Sequence, residues 1–133
     1  MIKVRAHGVL NIVMFVFLAL VFGGSIAFAG PKSDAVKTMA EIMLRLNHHP
    51  SGSEMEVLRK ITKSESASKH ELVLASVLMN LEHKASSADK KKLKAILDDQ
   101  SASHAVHDIA SILASLNHKP SGGDKKKLQK LIQ

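Results

Sequence analysis

The sequence predicts an all-α protein of three tandem αα-hairpins, in which six short helices form a small solenoid or a compact helical bundle. The first observation behind this prediction is an internal repeat. The segments LNHHPSGSEMEVLRKI, LEHKASSADKKKLKAI and LNHKPSGGDKKKLQKL begin at Leu46, Leu81 and Leu116, so the period is 35 residues. The other two are a serine before each expected helix and apolar residues at helical spacing. The repeats extend over about residues 33–67, 68–102 and 103–133.

The first helix of each copy is expected to begin after Ser33, Ser68 or Ser103, where a serine hydroxyl can accept from an unpaired N–H of the first turn. Apolar residues then recur at helical spacing and form one stripe. In the first copy they are Val36, Met39, Ala40, Met43 and Leu46. The middle helix, ELVLASVLMNL, is apolar nearly all round. This predicts a helix sandwiched between its neighbours, with more one-sided helices in the flanking copies.

The second helix of each copy has a clear start signal. Ser51, Ser86 and Ser121 each precede an acidic residue by three positions, which is the pattern of a capping box. Pro50 and Pro120 stand just before the cap, where the first helix must already have ended. Apolar pairs supply the expected buried face: Leu58 and Ile61, Leu93 and Ile96, Leu128 and Leu131.

Residues 1–29 have the pattern of a secretory signal peptide. Lys3 and Arg5 precede an apolar run, and the small-x-small sequence AFA ends at Ala29. We therefore expect cleavage after Ala29, a single helical repeat domain over residues 30–133, and a periplasmic or secreted location. The alternative is an uncleaved N-terminal helix that anchors the protein, because the apolar stretch approaches the ~20 residues of a membrane span.

Composition excludes several classes of function. The chain has no Cys, which excludes thiol catalysis and Cys-ligated zinc. All four Phe lie within residues 1–29, and the chain has no Trp or Tyr. Residues 30–133 therefore lack the aromatic platforms that usually hold single-stranded nucleic acids, and we do not expect a nucleic-acid partner. No phosphate-binding loop, nucleophile elbow or metalloenzyme motif is present, so we expect a protein that is not an enzyme.

Positive charge is concentrated in the second half of the domain. Residues 30–83 contain seven basic and seven acidic residues, whereas residues 84–133 contain ten basic and five acidic residues. If the copies stack, the equivalent helices of copies two and three form one basic face that can contact an envelope protein, an anionic polymer or lipid headgroups at a membrane surface. This binding protein is our leading hypothesis. The lysines concerned are Lys90, Lys91, Lys92, Lys94, Lys125, Lys126, Lys127 and Lys130.

Histidines suggest an alternative function, a soluble periplasmic protein that binds a divalent Cu, Ni or Zn ion. His48, His83 and His118 occupy the same position in each copy, and we expect each to cap the last turn of the first helix. Stacked copies would space these three as a ladder and not as a chelate. His104 and His107 lie on one helix face beside Asp108 and form a second candidate set. His49 occurs only in copy one and has no structural explanation. Without a metal, we expect no cofactor.

Overall fold

The computed structural model describes residues 32–133, and these residues form six helices in three hairpins. The predicted signal peptide over residues 1–29 lies outside the described residues. No strand occurs within residues 32–133, which confirms the all-α prediction, and no helix in this range is long and apolar enough to cross a membrane. The helices are α1 (Asp34–Arg45), α2 (Gly52–Thr62), α3 (Lys69–Met79), α4 (Ser87–Asp98), α5 (His104–Ser115) and α6 (Gly122–Leu131).

All six helices begin at the serines that the sequence marked as caps. Each serine hydroxyl accepts a hydrogen bond from the backbone N–H three residues later, which satisfies one of the unpaired donors of the first turn. A complete capping box, with the acidic side chain accepting from the serine N–H, forms at α2, α3 and α6. Local side-chain chemistry therefore sets all six starting points.

The three hairpins close into a ring. The first helices α1, α3 and α5 all contact one another and form an inner layer. Each second helix packs most extensively on the first helix of the next copy: α2 packs on α3, α4 on α5, and α6 returns to α1. The last of these contacts joins the two ends of the domain, so the fold is a closed bundle with an approximate threefold axis and not an open solenoid.

Burial follows the same threefold pattern. The three inner helices bury the same five positions, and the outer helices share two buried positions. The middle helix is packed between neighbours as expected, but the expected contrast with its counterparts is wrong, because ring closure gives every inner helix two inner neighbours. The extra apolar residues of α3, among them Val73 and Met79, are only half-buried.

One buried position departs from the symmetry. Glu71 on α3 is 5% exposed and takes the place of Val36 and Val106 on the other inner helices. One carboxylate oxygen accepts from the Ser33 hydroxyl, and the other accepts from the Ser68 N–H at 2.6 Å. Because both oxygens are hydrogen-bonded, this buried polar group is satisfied and links the start of α1 to the start of α3.

Ring closure predicts equal effects of equivalent core truncations. Leu58, Leu93 and Leu128 are each fully buried on an outer helix. We expect each Leu→Ala variant to lose about 2–5 kcal/mol of unfolding free energy, with the three values within about 1 kcal/mol of one another. Urea denaturation followed by far-UV circular dichroism measures these losses. A much smaller loss for Leu128→Ala than for the other two would contradict closure, since in an open stack α6 would lack its contact with α1.

Candidate metal centre

The turn between the two helices of each hairpin has an unusual backbone. His48, His83 and His118 have φ angles of 84°, 79° and 70°, and they are the only residues within 32–133 with positive φ. Glycine is the usual residue in this region, where an L side chain costs roughly 1–2 kcal/mol. None of the described glycines uses it. Three histidines thus occupy positions at which glycine would be less strained.

Backbone hydrogen bonds join the three turns in a cycle. The N–H of His48 donates to the carbonyl of His118 at 3.1 Å, that of His83 to His48 at 3.0 Å, and that of His118 to His83 at 2.7 Å. In two of the turns the residue after the histidine also donates to the residue before it: Lys84 to Glu82 at 3.0 Å and Lys119 to Asn117 at 2.9 Å. Such a bond around a central residue of positive φ is the pattern of a γ-turn. The cycle therefore holds the three strained residues around the threefold axis.

The three imidazole rings converge above this cycle. Their centroids lie 4.9 Å (His48 and His83), 5.3 Å (His48 and His118) and 5.0 Å (His83 and His118) apart. One ring nitrogen from each residue lies within 4.8 Å of those of the other two. His48 is half-buried, and His83 and His118 are exposed. Within residues 32–133, this is the one group of three or more His, Cys, Asp or Glu side chains close enough to hold a metal ion.

This arrangement differs from the expected one in two ways. The histidines do not lie in the last helical turn, because α1, α3 and α5 end three or four residues earlier, at Arg45, Met79 and Ser115. Nor do they form a ladder. A ladder requires stacked copies, whereas ring closure brings the same position of each copy to one point on the axis.

The donor set fits a transition-metal ion. A tetrahedral zinc ion with Zn–N bonds of 2.0–2.1 Å places two ligand nitrogens about 3.3 Å apart, so the histidines need a modest side-chain contraction to bind it. The Nδ1 of His118 lies 2.8 Å from the Asn117 side-chain oxygen, a contact that orients the ring, and with Nδ1 as the donor Nε2 would be free to ligate. The inner helices also end toward this point, and the C-terminal ends of helices favour cations.

The second predicted histidine set has other roles. His107 is half-buried, and its Nε2 lies 3.1 Å from the carbonyl of Ile96 and 3.0 Å from that of Asp99, so the ring caps the C-terminal end of α4. His104 and Asp108 do not belong to the converging group. His49 is exposed, and its Nδ1 lies 3.1 Å from the Pro50 carbonyl.

Asp99 is the hydrogen-bond partner of a further histidine, His70. The Nε2 of His70 lies 2.9 Å from the Asp99 carboxylate, which also accepts from the Ser101 hydroxyl and N–H. The two Ser101 bonds, followed by the His70 contact, lower the pKa of Asp99 to about 2. His70 and His107 therefore both fasten the connection between α4 and α5, and neither is free to act as a ligand in this arrangement.

The two lysine-rich helices, α4 and α6, are not in contact with each other. All eight predicted lysines are exposed, but α4 and α6 make no contact with each other, since α5 lies between them. Lys92 pairs with Asp89 at 3.1 Å and Lys94 with Asp98 at 2.8 Å. The single basic face expected for stacked copies depended on adjacent lysine helices, and the closed ring does not provide them.

A shallow groove of about 440 Å³ lies beside α1 and α2, and none of the three converging histidines lines it. Ala35, Val57 and Ile61 contribute apolar surface, and Glu71 lies at its edge. Both oxygens of Glu71 are already hydrogen-bonded to serines. The groove therefore presents no free acid or base at this carboxylate, and it contains no histidine.

Comparison of the whole chain with protein-family models, with curated proteins and with solved structures finds no match. The interpretation of the histidine cluster therefore rests on its geometry.

Replacing His83 separates the backbone role of this position from its side-chain role. Because φ is 79°, glycine relieves strain that alanine retains. We expect His83→Gly to be more stable than His83→Ala by about 1 kcal/mol in metal-free buffer. Chemical denaturation of both variants in the presence of a chelator measures the difference. If the alanine variant were the more stable of the two, the positive φ would not be a source of strain.

Proposed function

We propose that this protein binds a divalent transition-metal ion through His48, His83 and His118. The observation that carries the proposal is the convergence of one ring nitrogen from each residue to within 4.8 Å on the axis of a closed ring. Imidazole is the commonest protein ligand for such ions. The proposal concerns binding and includes no catalytic step.

Backbone strain supports this function independently of the distances. Residues held at unfavourable φ persist where the surrounding structure over-determines them, and they cluster at ligand sites. Here the strained residue is histidine in all three copies, although glycine would serve the turn better. The hairpin connection does not require an imidazole at this position, whereas in a transition-metal site the imidazole would be a ligand.

The expected ion is zinc, or another ion that accepts three protein ligands on one face of its coordination sphere. Three nitrogens around a threefold axis cover one face of a tetrahedron or an octahedron, whereas Cu(II) favours a square-planar arrangement. The site is formed from loops that are anchored by six capped helices, so the backbones of its ligands are fixed before the ion arrives and only the side chains must move. The N-terminal sequence pattern favours an exported protein, and we place this function in the periplasm or outside the cell.

The lysine-rich surface remains a weaker candidate for contact with an anionic or protein partner. All eight lysines are exposed, which supports this candidate. The sequence-based argument for a single basic face assumed that the two lysine-rich helices are adjacent, and in the closed ring they are not in contact.

Calorimetric titration of the purified protein with zinc tests the metal proposal. We expect one ion per chain, loss of binding in His83→Gly, and unchanged binding in His104→Ala, because His104 is an exposed histidine outside the cluster. At a free metal concentration 1,000 times the dissociation constant, binding should add about 4 kcal/mol to the unfolding free energy of the wild type. The His83→Gly variant should show no such gain, and affinity should fall in acid because imidazole must be neutral to ligate.

Two results would contradict the proposal. One is the absence of a binding heat and of any thermal shift with zinc, nickel or cobalt at neutral pH. The other is binding that disappears in His104→Ala but persists in His83→Gly, which would move the site to the histidines of α5.

A further inference from the structure

The metal centre proposed above has three protein ligands, and a tetrahedral ion needs a fourth. Within residues 32–133, no carboxylate or further imidazole joins the cluster. An open fourth position is accessible from solvent, because His83 and His118 are exposed. A site with three protein ligands and one open position binds an exchangeable molecule there.

The charge of the site determines which class of molecule this is. Three neutral imidazoles leave the full 2+ charge of the ion uncompensated, unlike thiolate or carboxylate ligands, which neutralise part of it. Uncompensated positive charge at an exposed centre attracts an anion.

Two lysines add to this charge. Lys84 and Lys119 directly follow His83 and His118, occupy equivalent positions in the ring, and are exposed. Their backbone N–H groups are held by the matching γ-turn bonds to Glu82 and Asn117. The backbones of Lys84 and Lys119 are therefore fixed directly beside two of the three histidines, and the third equivalent position is His49. Glu82 offsets only part of this charge.

We propose that the site binds a small oxyanion, of the phosphate or carbonate class, as the fourth ligand of the metal, and that Lys84 and Lys119 strengthen its binding. This inference rests on the proposed metal function. It also explains why the residue after each ring histidine is a nitrogen-bearing side chain in all three copies.

Cobalt(II) is the probe, because its visible absorption reports both binding to the protein and a change of the fourth ligand. The cobalt-loaded protein is titrated separately with phosphate, with bicarbonate and with neutral imidazole. We expect saturable spectral changes with at least one oxyanion, and the stronger of the two identifies the preferred anion shape. In Lys84→Gln/Lys119→Gln the oxyanion dissociation constant should rise roughly tenfold, since two positive charges that attract the anion are removed. Cobalt affinity should stay the same or rise, since the removed charges repel the cation, and the response to neutral imidazole should change less than about twofold.

The matched control is Lys60→Gln/Lys69→Gln, which removes the same charge from exposed positions of α2 and α3. Its oxyanion affinity should stay within about twofold of the wild type, since Lys60 lies near the end of α2 and Lys69 at the start of α3, whereas the histidine turns precede the starts of the outer helices and follow the ends of the inner ones. An equal loss in both double variants would overturn the role of Lys84 and Lys119. A spectrum that responds to imidazole and to neither oxyanion would overturn the anion inference and leave the metal site intact. No cobalt binding at all would instead overturn the proposed function.

Discussion

The packing of α6 against α1 is the contact on which the rest of the structure depends. Each hairpin buries too little apolar surface alone, and each outer helix needs the inner helix of the following copy as its partner. When the third outer helix finds that partner in the first copy, no terminal repeat is left with an uncovered face. The same closure gives the inner helices identical burial and brings three equivalent turns to one axis.

The departures from threefold symmetry are mostly structural. Glu71 places a carboxylate where the other copies have valine, and serines from two copies satisfy it. Asp99, His70 and His107 fasten a single connection, between α4 and α5. No buried side-chain nitrogen or oxygen within residues 32–133 lacks a hydrogen-bond partner. The candidate site lies instead where the copies agree. In a closed ring, a residue that recurs at one position near the axis in every copy forms a cluster. In a linear array, the same residue would only be repeated at intervals along the stack.

Much of the fold could be predicted from the sequence because it is encoded locally. Ser33, Ser68 and the other four caps act within one helical turn, and the spacing of apolar residues identifies each buried face. Ring closure could not be predicted in this way, because it depends on the angle that each hairpin adds, which no local pattern specifies. The candidate site also has one part that is encoded locally and one part that depends on closure. The shared position of His48, His83 and His118 was visible in the sequence, but their convergence and positive φ depend on closure. The sequence feature that came closest to indicating the cluster was the recurrence of histidine, and not glycine, at this position of the turn in all three copies.

The distances along the chain give the histidine cluster a mechanical consequence. His48 and His83, like His83 and His118, are 35 residues apart in sequence yet adjacent in space. An ion shared by all three closes two long loops of the chain at once and restricts the unfolded state, as a pair of disulfides would. This chain contains no cysteine. Metal coordination would thus provide a cross-link between its first, middle and last segments that forms without oxidation and is reversed by a chelator.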